Sequence, residues 1–192
     1  MKTYCINLES RPDRWKRVQV EALKIRQIPI RFDAIKCDIG HDGCKASHMK
    51  LLSEVKEEIF MVIEDDFKIN CKNAFTTLMM AFRDLPDNWD MLYLGATLTK
   101  KIYRCSDNLY RLQGGSATQG IIYNNQNGVV DYILKNHNRN RFSAFLRDDV
   151  QENFNCYLTN PMIATQAPGF SDLLNKRTSG REMRRAYKKY TK

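Results

Sequence analysis

Five consecutive apolar residues, Ile59-Phe60-Met61-Val62-Ile63, run straight into three carboxylates, Glu64-Asp65-Asp66. An unbroken apolar run of this length suits a β-strand covered on both faces, as inside a sheet with helices packed on each side. No apolar run approaches the roughly 20 residues a membrane helix needs. Position makes the acids informative, because ligands of open α/β sheets bind beyond the carboxyl ends of the strands. Alternate residues of an extended chain face the same way, so Glu64 and Asp66 together offer oxygen ligands to one hard cation. Composition alone would equally fit a solvated acidic turn.

The flanking pattern favours the first reading. Residues 3–8 form a short apolar strand signal, and Ser10, Arg11, Pro12 and Asp13 follow as a helix start of the Ser-x-x-Asp type. Trp15, Val18, Ala22 and Ile25 then recur at helical spacing before a second strand at 28–32. Further helices are expected at 46–58, 74–85 and 126–135, and strands at 59–63, 90–95 and 120–123, with a hairpin around Ser106, Asp107 and Asn108. Past His137 to Arg141 the chain reads as loop-rich, with short elements before Pro161. Alternation of this kind predicts an α/β sandwich. Polar residues also close the first strand, where Arg11 and Arg14 at a helix N-terminus are suited to clamping a diphosphate.

Of the formal +9, +7 lies in residues 176–192, where eight basic residues face Glu182 alone. A near-neutral body with a basic tail argues against a broad nucleic-acid surface and for local anchoring at an anionic membrane. Met183, Tyr187 and Tyr190 could order that tail as an amphipathic helix, and a solvated charged segment is the alternative. The six cysteines lack a Cys-x-x-Cys pair and no secretory signal precedes the first residues, so reduced thiols and a cytoplasmic location are expected.

Four separated blocks resemble glycosyltransferase family 25, which includes bacterial lipopolysaccharide galactosyltransferases and collagen galactosyltransferases. Ile6-Asn7-Leu8 with Arg11, Asp13 and Arg14 is similar to its opening INLxxRxDR, and Gly43-Cys44-Lys45-Ala46-Ser47-His48 to its GCxxSH segment. Glu64-Asp65-Asp66 resembles its EDD motif, and Gln166 with Phe170-Ser171-Asp172 its QxxxxSD ending. The resemblance implies a GT-A type, Rossmann-like α/β/α sandwich with a mixed, mainly parallel sheet, over a domain of residues 1–175. Nucleotide-sugar contacts would come from about 1–98, acceptor contacts from about 99–175, and the basic tail from 176–192. It also implies a UDP-sugar donor, manganese (or magnesium) held by Glu64 and Asp66, and transfer of a hexose, galactose or glucose, with inversion. The acceptor would be a glycan, lipopolysaccharide or protein hydroxyl. Donor-binding residues on this resemblance are Asn7, Leu8, Arg11, Arg14, Ser47, Asp65 and Gln166, and the catalytic base is Asp148 or Asp149. The latter pair reads otherwise as acids starting a helix.

Cys37, His41, Cys44 and His48 also invite a zinc reading. Zinc-finger pairs are normally separated by a structural element, whereas these four lie within twelve residues, so zinc is set aside. A non-catalytic nucleotide- or nucleic-acid-binding protein of the same fold is the alternative function, and a metal-dependent hydrolase a weaker third.

Overall fold

The computed structural model describes residues 1–137, 141–171 and 176–191. The chain opens as β1 (Lys2–Asn7), α1 (Pro12–Leu23), β2 (Pro29–Asp33), α2 (Gly40–Glu54) and β3 (Ile59–Glu64). A short β4 (Phe67–Ile69), α3 (Ala74–Asp84) and β5 (Met91–Tyr93) follow, then the short strands β6 (Thr97–Leu98), β7 (Tyr103–Arg104), β8 (Leu109–Arg111) and β9 (Gly115–Ser116). Beyond them come β10 (Gly120–Asn124), α4 (Val129–Asn136), α5 (Phe142–Phe145), a π-helical turn (Leu146–Val150) and α6 (Gln151–Asn153). The chain closes with β11 (Cys156–Thr159), β12 (Ala164–Gln166), β13 (Gly169–Ser171), β14 (Lys176–Thr178) and α7 (Arg181–Tyr190).

Eight strands make the main sheet, in the order β2-β1-β3-β10-β5-β11-β8-β7. β1 lies parallel to both β2 and β3, and β5 parallel to β11, while β10 and β8 run against their neighbours. The sheet is therefore mixed, with six of its eight strands sharing one direction. Strand alternation divides the core in two. Phe60 and Val62 of β3 join one apolar cluster with Leu51 and Leu52 of α2, Val129 and Ile133 of α4, and Phe142. Met61 and Ile63 join the opposite cluster with Val18 and Ala22 of α1 and Leu78 and Ala81 of α3. Helices thus cover both faces, which is the α/β/α sandwich expected from the apolar run of β3.

Several boundaries differ from the sequence expectation, each for a local reason. Helix α1 starts with Pro12 in its first turn behind Arg11, with no side-chain cap, so Ser10 does not cap it. Helix α2 covers 40–54 rather than 46–58. Its Gly43 lies so close to the chain that an added Cβ would stand 2.6 Å from the Ile35 carbonyl oxygen, so glycine there serves close packing and does not break the helix. The helix expected over 126–135 is split by Gly128, at φ +76°, into a 3₁₀ turn (Asn125–Asn127) and α4. The short elements expected before Pro161 are α5, the π-turn and α6. Their buried Phe142, Phe145, Leu146 and Val150 are too short a series to stand out as a periodic signal. In the basic tail, α7 forms the amphipathic helix, with Met183 buried and Tyr187 Oη donating to Asn160 Oδ1 at 2.6 Å. Asp172 and Lys192 lie outside the described residues.

Candidate functional site

The carboxyl ends of β1 and β3 open into a cleft of about 450 Å³. Leu8, Arg11, Arg14, Ser47, Glu64, Asp65, Asp66 and Gln166, eight of the expected site residues, line it together. Parallel pairing of β1 with β3 sets Ile6 beside Glu64, which brings the two motifs, far apart in sequence, to one mouth. The first turn of α1 faces the same space.

Within the acidic triplet the three side chains have different surroundings. Glu64 Oε1 accepts from Thr118 Oγ1 at 2.5 Å and lies 3.0 Å from His48 Nε2. Burial pushes this carboxyl up, but His48 and the two hydrogen bonds more than offset it and hold it below its ordinary value. Asp65 accepts from Asn7 Nδ2 at 2.9 Å and Arg14 Nη1 at 3.1 Å, and its carbonyl accepts from Arg17 Nη2 at 3.0 Å. Desolvation nevertheless raises it. Asp66 is raised furthest, by burial first and then by the charges of Glu64 and Asp65. Its Oδ1 is buried with no hydrogen-bond partner among the described residues.

A buried carboxylate oxygen without a donor is costly, and a cation would satisfy it. Glu64 and Asp66 supply hard oxygens at the same mouth, so the residues fit a divalent ion of the manganese or magnesium kind. Cys44, His48 and Glu64 form a second potential ligand set beside it.

Two expected donor residues have structural partners. Asn7 stands behind the wall, 1% exposed, donating also to the Arg11 carbonyl and accepting from Arg31 Nε at 3.1 Å. Ser47 Oγ donates to the Gly43 carbonyl at 2.6 Å and accepts from the Ile35 amide at 2.8 Å, which ties the loop after β2 to α2. Arg11 holds Asp13 through two hydrogen bonds, at 3.0 and 2.9 Å. Asp148 and Asp149 are not among the residues lining the cleft. They sit on the π-turn, where Arg147 forks onto Asp148 at 2.5 and 2.8 Å and Tyr132 Oη donates to Asp149 Oδ1 at 2.7 Å.

Sequence reasoning passed over His48 as a partner of Glu64, although it stands in the quoted GCxxSH block. It passed over Arg17, one helical turn beyond Arg14, and Thr118. For Thr118 no local signal exists. Antiparallel pairing of Gly120 with Ile63 delivers it, and the preceding Ala117, at φ +91°, turns the backbone there.

Among the described residues, no helix is long and apolar enough to cross a membrane. No protein-family model matches the chain, and no curated protein matches it. Solved structures similar to it include A197 from STIV, at 9% identity over 93% of this chain and 94% of that one, with a TM-score of 0.48. UDP-glucose pyrophosphorylase complexed with UDP-glucose is 11% identical over 98% of this chain and 80% of that chain, with a TM-score of 0.45. The inositol-1-phosphate CTP transferase from T. maritima is 12% identical over 83% of this chain and 66% of that chain, with a TM-score of 0.44. What the protein does is therefore to be read from the cleft itself.

Proposed function

We propose that this chain is a metal-dependent glycosyltransferase of the family 25 kind, moving a hexose from a UDP-sugar to a hydroxyl of a glycan, lipopolysaccharide or protein acceptor. One observation carries the reading: Asp66, whose Oδ1 is buried with no hydrogen-bond partner among the described residues, shares a cleft with Glu64, with Arg11 just before α1 and with Arg14 and Arg17 on it. Carboxylates that want a cation beside arginines suited to phosphate fit a nucleoside diphosphate bridged by a metal.

When bound, the ion would neutralise charge on the diphosphate leaving group. Glu64, held in place by Thr118 and His48, and Asp66 would hold it. Asp65 and Asn7 fix the end of β3 against α1, so that Arg14 and Arg17 stay at the mouth. Gln166 and Ala167 wall the other side, where the Ala167 amide donates to the Asp66 carbonyl at 2.6 Å.

Inversion needs a base for the acceptor hydroxyl. Asp148 or Asp149 is that base in this reading, which rests on the resemblance alone, since neither lines the cleft and Arg147 and Tyr132 engage them. On this assignment one of Asp148→Asn and Asp149→Asn loses about 100-fold to 10,000-fold in kcat with UDP affinity unchanged. Full turnover in both variants moves the base elsewhere.

The deciding experiment is thermal unfolding with manganese and UDP, followed by UDP release from a panel of UDP-sugars. A ligand at 100 times its Kd adds about 2.7 kcal/mol to the native state, a readily measured rise in Tm. No rise with any nucleotide sinks the donor site. The basic face of α7 favours one second reading, nucleic-acid binding without turnover. Salt-sensitive RNA binding with no UDP release would select it.

A further inference from the structure

Cys44 and His48 stand four residues apart on α2 and so share a face, and Glu64 closes β3 beside them. One ligand atom of each, the Cys44 sulfur, a His48 ring nitrogen and a Glu64 oxygen, all lie within 4.8 Å of one another. His48 Nε2 and Glu64 Oε1 are 3.0 Å apart. Nitrogen and oxygen ligands on one tetrahedral zinc ion stand about 3.4 Å apart, given bonds of about 2.0–2.2 Å, so a small opening of this pair would admit the ion.

The imidazole is held for such a role. His48 is 1% exposed and stacked on Phe142 at 4.7 Å, which fixes the ring with Nε2 toward Glu64. Cys44 is half-buried and lines the cleft, which leaves an approach for the ion and space for water as a fourth ligand. Thiolate with imidazole favours zinc-class ions over manganese or magnesium, which prefer oxygen alone.

We propose that Cys44, His48 and Glu64 form a binding site for a zinc-class divalent ion, which shares Glu64 with the hard-cation pair and so competes with it for that carboxylate. On binding, the Cys44 S–H bond is replaced by a sulfur–metal bond and its proton leaves to solvent. The imidazole and carboxylate contribute lone pairs, and nothing is oxidised or reduced. Inhibition of transfer by zinc is a consequence that rests on the reading of the cleft as a transferase site. The ion site itself does not.

Cobalt(II), a spectroscopic stand-in for zinc, tests it on the full, reduced chain with no nucleotide present. The expected result is one cobalt per chain with a thiolate-to-cobalt charge-transfer absorption, displaced by zinc. Cys44→Ser removes that absorption and weakens zinc by about 100-fold or more, since even partners one step removed from a metal are worth about 10-fold to 100-fold. Cys37→Ser leaves both unchanged. Circular dichroism checks that Cys44→Ser is folded, and if it is not, Glu64→Gln must weaken zinc in its place. Absent cobalt binding, a charge-transfer band that survives Cys44→Ser, or unchanged zinc affinity in Glu64→Gln overturns the site. Failure here leaves UDP-sugar turnover intact, whereas failure of turnover leaves cobalt binding intact, so the two ideas fall separately.

Discussion

Asp66 has properties that pull in opposite directions. Its Oδ1 is buried and unpartnered among the described residues, and Glu64 and Asp65 crowd it with like charge, which in the absence of a cation is unfavourable. Exchanging the carboxylate for an amide of the same shape removes the repulsion, so Asp66→Asn should raise metal-free stability by about 1 kcal/mol. The same variant should lose the manganese-dependent part of UDP binding and all turnover. Urea unfolding without metal and calorimetric titration with manganese and UDP check the two halves. An unchanged manganese response would mean that Asp66 holds no ion. Asp65 behaves differently, because Asn7 and Arg14 satisfy it. The triplet is uniform in sequence, but its members divide into a clamped carboxylate, a strut and an orphan.

At the scale of elements, α7 shows how a charged segment can belong to the core. Four of its basic residues, Arg181, Arg185, Lys188 and Lys189, face solvent, while Met183 is 2% exposed and packs into the cluster with Tyr110. Tyr187 meets Tyr110 edge-on at 6.2 Å, and Tyr110 Oη donates to the Thr191 carbonyl at 3.4 Å. Truncation would therefore unsettle the fold, so anchoring is better tested by charge. Replacing those four residues with glutamine should weaken binding to anionic vesicles by up to about 1 kcal/mol per charge and leave Tm unchanged. Met183→Ala should do the reverse, costing about 2–5 kcal/mol of stability with vesicle binding intact while the chain is folded. Equal vesicle binding by the glutamine variant and the parent chain would end the anchoring idea.

In the whole molecule the two halves share one sheet. β10, from the second half, lies between β3 and β5 and pairs with both, and Phe60 stacks on Tyr123 across that seam at 5.2 Å. A fragment of residues 1–98 would leave both strand edges bare, so it should not fold alone, and the full chain should unfold in a single transition by fluorescence and circular dichroism alike. Two separate transitions would contradict this. Much of the architecture was legible beforehand because its signals are local. The apolar run of β3, the helical spacing of Val18, Ala22 and Ile25, and the acids at the end of β3 depend only on neighbouring residues. The line of residues gathering at one cleft was also legible, since βαβ connection places strand ends together. Sequence by itself thus determined the layered fold and the mouth at which polar groups collect. Tertiary structure alone decided what those groups do to one another. It set Thr118 and His48 on Glu64 across 54 and 16 residues of chain, engaged Asp65, left Asp66 Oδ1 without a donor among the described residues, and put Asp148 and Asp149 outside the cleft lining. The reason is physical: hydrogen-bond partners and desolvation depend on strand register and helix packing between distant segments, and no local pattern carries either.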